Sequence, residues 1–201
     1  MRARYPRLWL MTDERMGDAL LPALRRLAPG SGVVFRHYSL PPAERRALLA
    51  RVRQVARARR LLLVVARPGR IGRADGVHGA AKGEGVRTWP AHDRREAVAG
   101  VRAGAALLFV SPVHPTRSHP GAPALGPARA AAIGRGLGVG LVALGGMTPR
   151  RFRAARGMRF YGWAGIDGLT PRAAPTAPPR CPPDHVPGRS GPPADDPIPP
   201  W

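Results

Sequence analysis

Eight short apolar runs alternate with stretches rich in Ala, Arg and Leu over the first 170 residues of the chain. Runs that are continuously apolar, rather than alternating with polar residues, are typical of parallel strands buried on both faces. The predicted strands cover residues 8–11, 33–35, 61–66, 76–78, 86–89, 106–110, 140–144 and 160–163. Eight strand–helix repeats predict a compact α/β fold, a closed (β/α)8 barrel of the TIM type.

Five helices are predicted between these strands, at residues 16–27, 42–60, 93–103, 127–137 and 149–156. Two helix starts carry capping signals, Asp93 with Glu96 three residues later, and Thr148 before Pro149. The connections 67–75 and 79–85 are too short for full helices, so we expect abbreviated third and fourth repeats. An open doubly wound sheet is the alternative fold, but the first strand leads into MTDERM, which has no glycine-rich phosphate loop.

The composition changes near Thr170. In residues 171–201, 12 of 31 are proline, so this segment has no continuous set of backbone donors and little apolar surface to bury. We therefore predict a barrel domain over residues 1–170 and a disordered tail over 171–201. The single cysteine, Cys181, lies in that tail, which excludes an intrachain disulfide framework.

The chain is strongly basic, with a net charge of +21, but its 33 basic residues include one lysine, Lys82, and the arginines are spread over every predicted helix. This spread predicts a solvated basic surface that attracts polyanions without specificity, and not a specific nucleic-acid interface. It is compatible with small phosphorylated substrates. The sequence contains no apolar run of membrane-spanning or signal-peptide length, so we expect a cytoplasmic protein. The sequence does not reveal the oligomeric state.

Polar residues collect where the predicted strands end, which is where barrels of this type carry their chemistry. Five of the six histidines lie there: His37, His78, His92, His114 and His119. Asp13, Arg36, Thr116, Ser118 and Asp167 lie at the same level. The sequence has no HExxH pattern or paired carboxylates of the kind that bind zinc, so a phosphate site is favoured over a metal centre.

Two glycine turns predict a phosphate site. Gly145 and Gly146 follow the seventh strand and lead towards a helix near Pro149, so unshielded backbone amides can converge on an anion. Gly165 and Ile166 follow the eighth predicted strand and would complete that site. The loops after strands seven and eight are where such barrels often bind phosphate.

Four motifs, LWLMTD (8–13), ADGVH (74–78), SPVHPTRSHPGAPALG (111–126) and VALGGM (142–147), resemble the thiamine phosphate synthase family and its thiazole tautomerase relatives. The resemblance covers about residues 8–169. It implies a small (β/α)8 barrel and a transferase that joins hydroxymethylpyrimidine diphosphate to a thiazole phosphate, with Mg²⁺ and release of pyrophosphate.

The resemblance also implies residue roles. Arg36 matches an arginine that contacts pyrophosphate, Thr116 and Ser118 match hydroxyls near the substrate phosphates, and Gly145 and Gly146 match glycines that hold the thiazole phosphate. We take Arg36, His114 and His119 as catalytic candidates. The other pocket candidates are His37, Tyr38, His78 and His92.

Several family positions are replaced. Tyr38 and His119 stand where lysines are expected, residues 64–72 lack an Asn-Asp pair, and Glu84 is the nearby carboxylate left after His78 to act as a metal ligand. Because Mg²⁺ needs several oxygen ligands, these changes weaken the expected magnesium site. Three functions stay open: a divergent synthase, a tautomerase-type isomerase that uses His114 as proton shuttle, and an inactive barrel that binds thiazole or thiamine phosphate.

Overall fold

The computed structural model describes residues 5–68, 72–116, 121 and 123–170. Ser118, His119 and the predicted tail lie outside the described residues, so those predictions stay predictions.

Eight parallel strands close into a barrel in sequence order, and β1 pairs with β8 to complete it. The strands are β1 (Leu8–Met11), β2 (Gly32–Phe35), β3 (Leu62–Ala66), β4 (Gly76–His78), β5 (Val86–Ala91), β6 (Leu107–Val110), β7 (Gly140–Ala143) and β8 (Gly162–Gly165). The predicted (β/α)8 barrel is confirmed, and the open sheet is excluded.

Helices on the outside connect most of the strands: α1 (Leu20–Arg26), α2 (Pro42–Ala58), α3 (Arg94–Arg102), α4 (Pro127–Ile133) and α5 (Pro149–Ala154). The described parts of the β3–β4 and β4–β5 connections contain no helix, as the short spacings predict. Both predicted caps form, because Asp93 accepts from the Glu96 amide at 2.8 Å and Thr148 accepts from the Arg151 amide at 3.2 Å. None of the described helices is long and apolar enough to cross a membrane.

Two predicted elements differ from the structure. The helix predicted at 16–27 is divided into a 3₁₀ helix, Glu14–Ala19, and α1, because Gly17 has φ 45° and ψ −128°, outside the helical region. The last strand begins at Gly162 instead of residue 160, so Gly165 ends the strand and does not form a turn. The apolar Tyr161 has another function there, since its hydroxyl donates to the Tyr5 carbonyl at 2.5 Å and fastens the N-terminal segment.

The barrel interior is filled by alternate strand residues, and the helices cover the remaining ones. Trp9 and Phe109 meet edge to face inside the barrel, with ring centroids 5.3 Å apart. Side chains alternate along a strand, so the inward positions of β1 and β2 continue beyond Met11 and Val34 to Asp13 and Arg36. The fold therefore directs these two charged residues over the C-terminal end of the barrel, here called the mouth.

Candidate active site

Arg36 is fixed at the mouth by residues that follow β1. Its Nε donates to the Thr12 carbonyl at 2.9 Å, and its Nη2 donates to Asp13 Oδ2 at 3.0 Å. Asp13 also accepts a hydrogen bond from Arg15, whose Nε donates to Oδ1 at 2.7 Å. The hydrogen bond from the Arg15 side chain is the main cause that lowers the pKa of Asp13 below its ordinary value. The carboxylate is therefore ionised near neutral pH and holds two guanidinium groups together.

Thr12 contacts both Arg36 and His37 through its side chain. Its buried hydroxyl accepts from the Arg36 amide at 3.0 Å and lies 3.0 Å from His37 Nδ1. His37 is stacked on Phe35, with centroids 5.0 Å apart, and so belongs to the packing between β2 and α2. Burial is the main cause that lowers the pKa of His37. The nearby carboxylates of Glu14 and Asp13 act in the opposite direction and raise it. His37 therefore positions the loop and does not open into the barrel.

His78 ends β4 inside the barrel and is 6% exposed. Its Nδ1 lies 2.8 Å from the Thr88 hydroxyl, and its ring meets Phe109 edge to face at 5.2 Å. Burial, with a smaller effect from Arg36, lowers the pKa of His78 to about 3. The imidazole is thus neutral at physiological pH and forms the polar floor beneath the mouth.

The turn after β7 forms a small concave backbone surface. Gly145 and Gly146 have φ values of 91° and 60°, and their amides donate to no described acceptor. Added side chains would not fit, because a Cβ on Gly145 would lie 2.8 Å from Pro112 Cα and one on Gly146 would lie 2.9 Å from His114 Cβ. Backbone N–H groups that are left free in such a turn are suited to an anion. Here these two glycines with the loop beside them are called the glycine cradle.

His114 and Arg151 border the glycine cradle. The His114 amide donates to the Gly145 carbonyl at 3.1 Å, and Arg151 Nη1 donates to the Gly146 carbonyl. His114 Nε2 is buried and has no hydrogen-bond partner among the described residues. Burial, followed by the charge of Arg151, lowers the pKa of His114. A neutral imidazole with a free ring nitrogen therefore stands next to the cradle.

The end of β8 lies against the same cradle. A Cβ on Gly165 would lie 3.6 Å from the Met147 carbonyl, and one on Gly168 would lie 3.0 Å from it. Ile166 is half-buried, and its carbonyl accepts from the Leu169 and Thr170 amides. The structure therefore brings the end of β8 next to the glycine turn after β7, and Thr116 is half-buried in the β6 loop.

Two predicted site residues make no described contact with this group. His92 is at the start of α3, where its Nδ1 lies 2.8 Å from Glu96 Oε2 and its amide donates to the same oxygen. Glu84 is exposed two residues before β5 begins, next to Gly85, which approaches Asp75 at the N-terminal end of β4. Glu84 thus lies towards the end of the barrel opposite the mouth.

Three arginines that the sequence analysis did not select complete the mouth: Arg45, Arg67 and Arg151. Arg45 is buried in the first turn of α2 and donates to the Ala66 and Arg67 carbonyls at 2.6 and 2.9 Å. Arg67 follows β3 and stacks over the Tyr38 ring. In a chain with arginines on every helix, only the tertiary contacts distinguish these three.

A closed barrel with polar side chains gathered at the C-terminal ends of its strands is the arrangement of TIM-barrel enzymes. The chain belongs to the thiamine monophosphate synthase family, whose model matches residues 8–169.

The relatives agree with this membership. A thiamine-phosphate synthase from Salinispora tropica is 38% identical over 106 residues, 52% of this chain and 50% of that protein, so the chain spans about half the length of this curated relative. The structure of a thiamine phosphate pyrophosphorylase from Pyrococcus furiosus is 20% identical with a TM-score of 0.68, covering 80% of this chain and 85% of that one. A thiamine phosphate pyrophosphorylase from Bacteroides thetaiotaomicron is 16% identical with a TM-score of 0.52, covering 81% and 83%. At these identities the two structures are similar in fold alone.

The described side chains at the mouth do not fit the magnesium ion that the family implies. Both oxygens of Asp13 are hydrogen-bonded to guanidinium groups, and the Glu14 carboxylate accepts from the Ser39 amide at 2.7 Å. Within the described ranges, no three His, Cys, Asp or Glu side chains come together as a metal site. Mg²⁺ prefers several oxygen ligands with octahedral geometry, which these residues do not supply.

Proposed function

We propose that this chain transfers a hydroxymethylpyrimidine group from its diphosphate to a thiazole phosphate, with release of pyrophosphate. The observation that carries the proposal is the pair of anion-binding features at one mouth, within a chain of the thiamine monophosphate synthase family. The glycine cradle follows β7, and Arg36 follows β2. These strands are three positions apart around the eight-stranded ring in one direction and five in the other, so two phosphorylated substrates can enter from different sides.

The glycine cradle would hold the thiazole phosphate. The free amides of Gly145 and Gly146 supply hydrogen bonds, and the Arg151 guanidinium beside them supplies positive charge. Gly165 and Gly168 lie next to the Met147 carbonyl and border the cradle from the β8 side. Anchoring the phosphate there would direct the thiazole ring towards the centre of the barrel.

Arg36 would bind the diphosphate of the second substrate. In the reaction the thiazole nitrogen forms a bond to the pyrimidine methylene carbon, and the bond from that carbon to the diphosphate oxygen breaks. Pyrophosphate leaves with the electron pair, so a preorganised guanidinium that faces it stabilises the developing charge. Thr12 and Asp13 hold Arg36 in place before substrate arrives, which avoids reorganisation during the reaction. No step is assigned to a metal ion, because the described donors do not fit one.

A pair of glycine variants tests the cradle. Gly146→Ala places a methyl group 2.9 Å from His114 Cβ, whereas Gly136→Ala, at a similar φ of 74°, meets nothing within 4 Å. Both positions have a positive φ, but only the methyl group of the first substitution meets neighbouring atoms, the nearest being the Pro115 carbonyl oxygen at 2.5 Å, so only that substitution displaces the loop that forms the cradle. We expect Gly146→Ala to raise the Kd for thiazole phosphate at least tenfold and Gly136→Ala to leave it within about twofold. Equal Kd values for both variants would remove the cradle from the site.

One observation favours a second function, a tautomerase-type isomerisation of a thiazole phosphate. His114 Nε2 is buried beside the cradle with no described partner, and a neutral imidazole can carry a proton between two ring positions. In that case His114→Asn would abolish isomerisation while the thiazole phosphate still binds. Unchanged turnover in this variant would exclude His114 as the proton carrier. Thermal stabilisation by thiamine phosphate, with no turnover of either kind, would leave the binding-only alternative.

A further inference from the structure

Tyr38 and Arg67 form a stacked pair at the side of the mouth formed by β2 and β3. The guanidinium carbon of Arg67 lies 4.7 Å from the centroid of the Tyr38 ring. Both side chains are exposed, and Tyr38, at 44%, is the most exposed large hydrophobic residue in the described part of the chain. A cation stacked on an aromatic face is held in orientation while its N–H groups stay available at the edge of the plane.

The backbone of Arg67 is strained. Its φ of 47° lies in the left-handed region, which residues other than glycine seldom adopt. The buried Arg45 guanidinium holds this conformation, because it donates to the Arg67 and Ala66 carbonyls at 2.9 and 2.6 Å and approaches the Arg36 carbonyl at 3.5 Å. One guanidinium therefore connects the ends of β2 and β3. Such strain is typical of positions where the surrounding structure holds a functional group in place.

Positive charge is in excess at the side of the mouth where Arg36 and Arg67 lie. Four guanidinium groups, of Arg15, Arg36, Arg45 and Arg67, lie with the carboxylates of Asp13 and Glu14, and a third carboxylate, Asp167, lies on the Arg15 side away from Arg67. The carboxylates of Asp13 and Glu14 already accept hydrogen bonds, and the Arg67 guanidinium donates to no described acceptor. The planar guanidinium matches the spacing of two phosphate oxygens, so the excess charge is suited to an anion with more than one phosphate.

We infer that Arg67, stacked on Tyr38 and held by Arg45, joins Arg36 in a diphosphate-binding site that needs no divalent cation. The identity of the ligand, a diphosphate monoester or the pyrophosphate released from it, rests on the proposed function. Arg67 would neutralise diphosphate charge that a metal ion neutralises in a metal-dependent site, at a part of the mouth where the described residues offer no group of metal donors.

Isothermal titration with sodium pyrophosphate, at fixed ionic strength, tests this inference without turnover. We expect the full chain to bind pyrophosphate in EDTA, and added Mg²⁺, which itself complexes pyrophosphate, not to tighten the binding. Arg67→Gln should weaken binding about tenfold, the effect of one charge-assisted hydrogen bond. Arg46→Gln removes the same charge from the exposed face of α2 and should have less than a twofold effect, which separates the site from general attraction to a basic surface.

Arg67→Gly excludes misfolding as the cause of weaker binding. Glycine adopts the left-handed backbone without strain, so this variant should keep or raise the Tm while it loses affinity for pyrophosphate. The inference is overturned if EDTA abolishes binding, if no pyrophosphate binds, or if Arg67→Gln and Arg46→Gln are equally affected. Metal-free binding of pyrophosphate by a chain that lacks transferase activity would overturn the proposed function and leave this inference standing. Turnover combined with strictly Mg²⁺-dependent binding would overturn this inference and leave the proposed function standing.

Discussion

The buried His78 makes the stability of this protein depend on pH. Burial lowers the pKa of His78 to about 3 from the ordinary 6.5, so between these values the unfolded chain binds a proton that the folded chain does not. The free energy of unfolding must then fall as the pH falls below 6.5 and level off near 3. Above pH 6.5 the same residue contributes no pH dependence, because its imidazole is neutral in both states.

The expected size follows from this difference in proton binding. Between pH 7 and pH 5, with an unfolded pKa of 6.5 and a folded pKa of about 3, His78 accounts for a loss of about 2 kcal/mol. Asp13 and Glu14, whose pKa values are lowered, stay largely ionised in this interval. His37 and His114 act in the same direction as His78, since burial lowers the pKa of each.

Urea unfolding at pH 7 and pH 5 isolates the contribution of His78 when it is compared with His78→Asn. The asparagine amide can replace Nδ1 in the 2.8 Å contact with Thr88, but it does not titrate. The variant should lose about 2 kcal/mol less than the parent chain over this interval. The ¹⁵N shifts of the His78 ring provide a second measurement in the unmutated protein. Equal losses in both chains, or a His78 titration with a midpoint near 6.5, would refute this account of the barrel floor.

Three further substitutions test how the mouth and the helices are held. Thr12→Val should lower the free energy of unfolding by about 2 kcal/mol, because the Arg36 amide and His37 Nδ1 lose their partner; a loss below about 0.5 kcal/mol in urea unfolding would contradict this. Arg45→Met should cost about 3 kcal/mol by the same measurement, since the carbonyls at the end of β3 lose a buried charged donor, and an unchanged Tm would be incompatible with the proposed hold on Arg67. Asp93→Ala should cost about 1 kcal/mol by removing the N-cap of α3, and thermal unfolding that matches the parent chain would show that the cap contributes nothing.

The barrel was predictable because its strands are buried on both faces. Continuous apolar runs such as Leu62–Ala66 and Leu107–Val110 are typical of parallel strands covered on both faces, and eight of them alternating with helices favoured the closed barrel over an open doubly wound sheet. The two errors in the predicted elements arose at residues whose type is compatible with more than one structural role. Tyr161 is apolar enough to predict a strand but is used to bind the N-terminal segment, and Gly17 interrupts an otherwise helical sequence through its backbone alone.

The candidate site was less predictable than the fold. Gly145, Gly146 and Arg36 follow strand ends directly, so their position in the repeat indicated the mouth. Arg45 gave no such signal, because it lies in a helix with four other arginines and its function depends on carbonyls that β2 and β3 bring to it. His92 shows the opposite case, a polar residue at a strand end that is used to start a helix.

Pyrophosphate release by the purified chain is the most direct test of the proposed transferase. The chain would be incubated with hydroxymethylpyrimidine diphosphate and thiazole phosphate together, and with each alone, in EDTA and in Mg²⁺. The proposed function predicts release that requires both substrates and is matched by an equal amount of thiamine phosphate. No release above the blank in either buffer, from protein whose circular dichroism shows it to be folded, would contradict it.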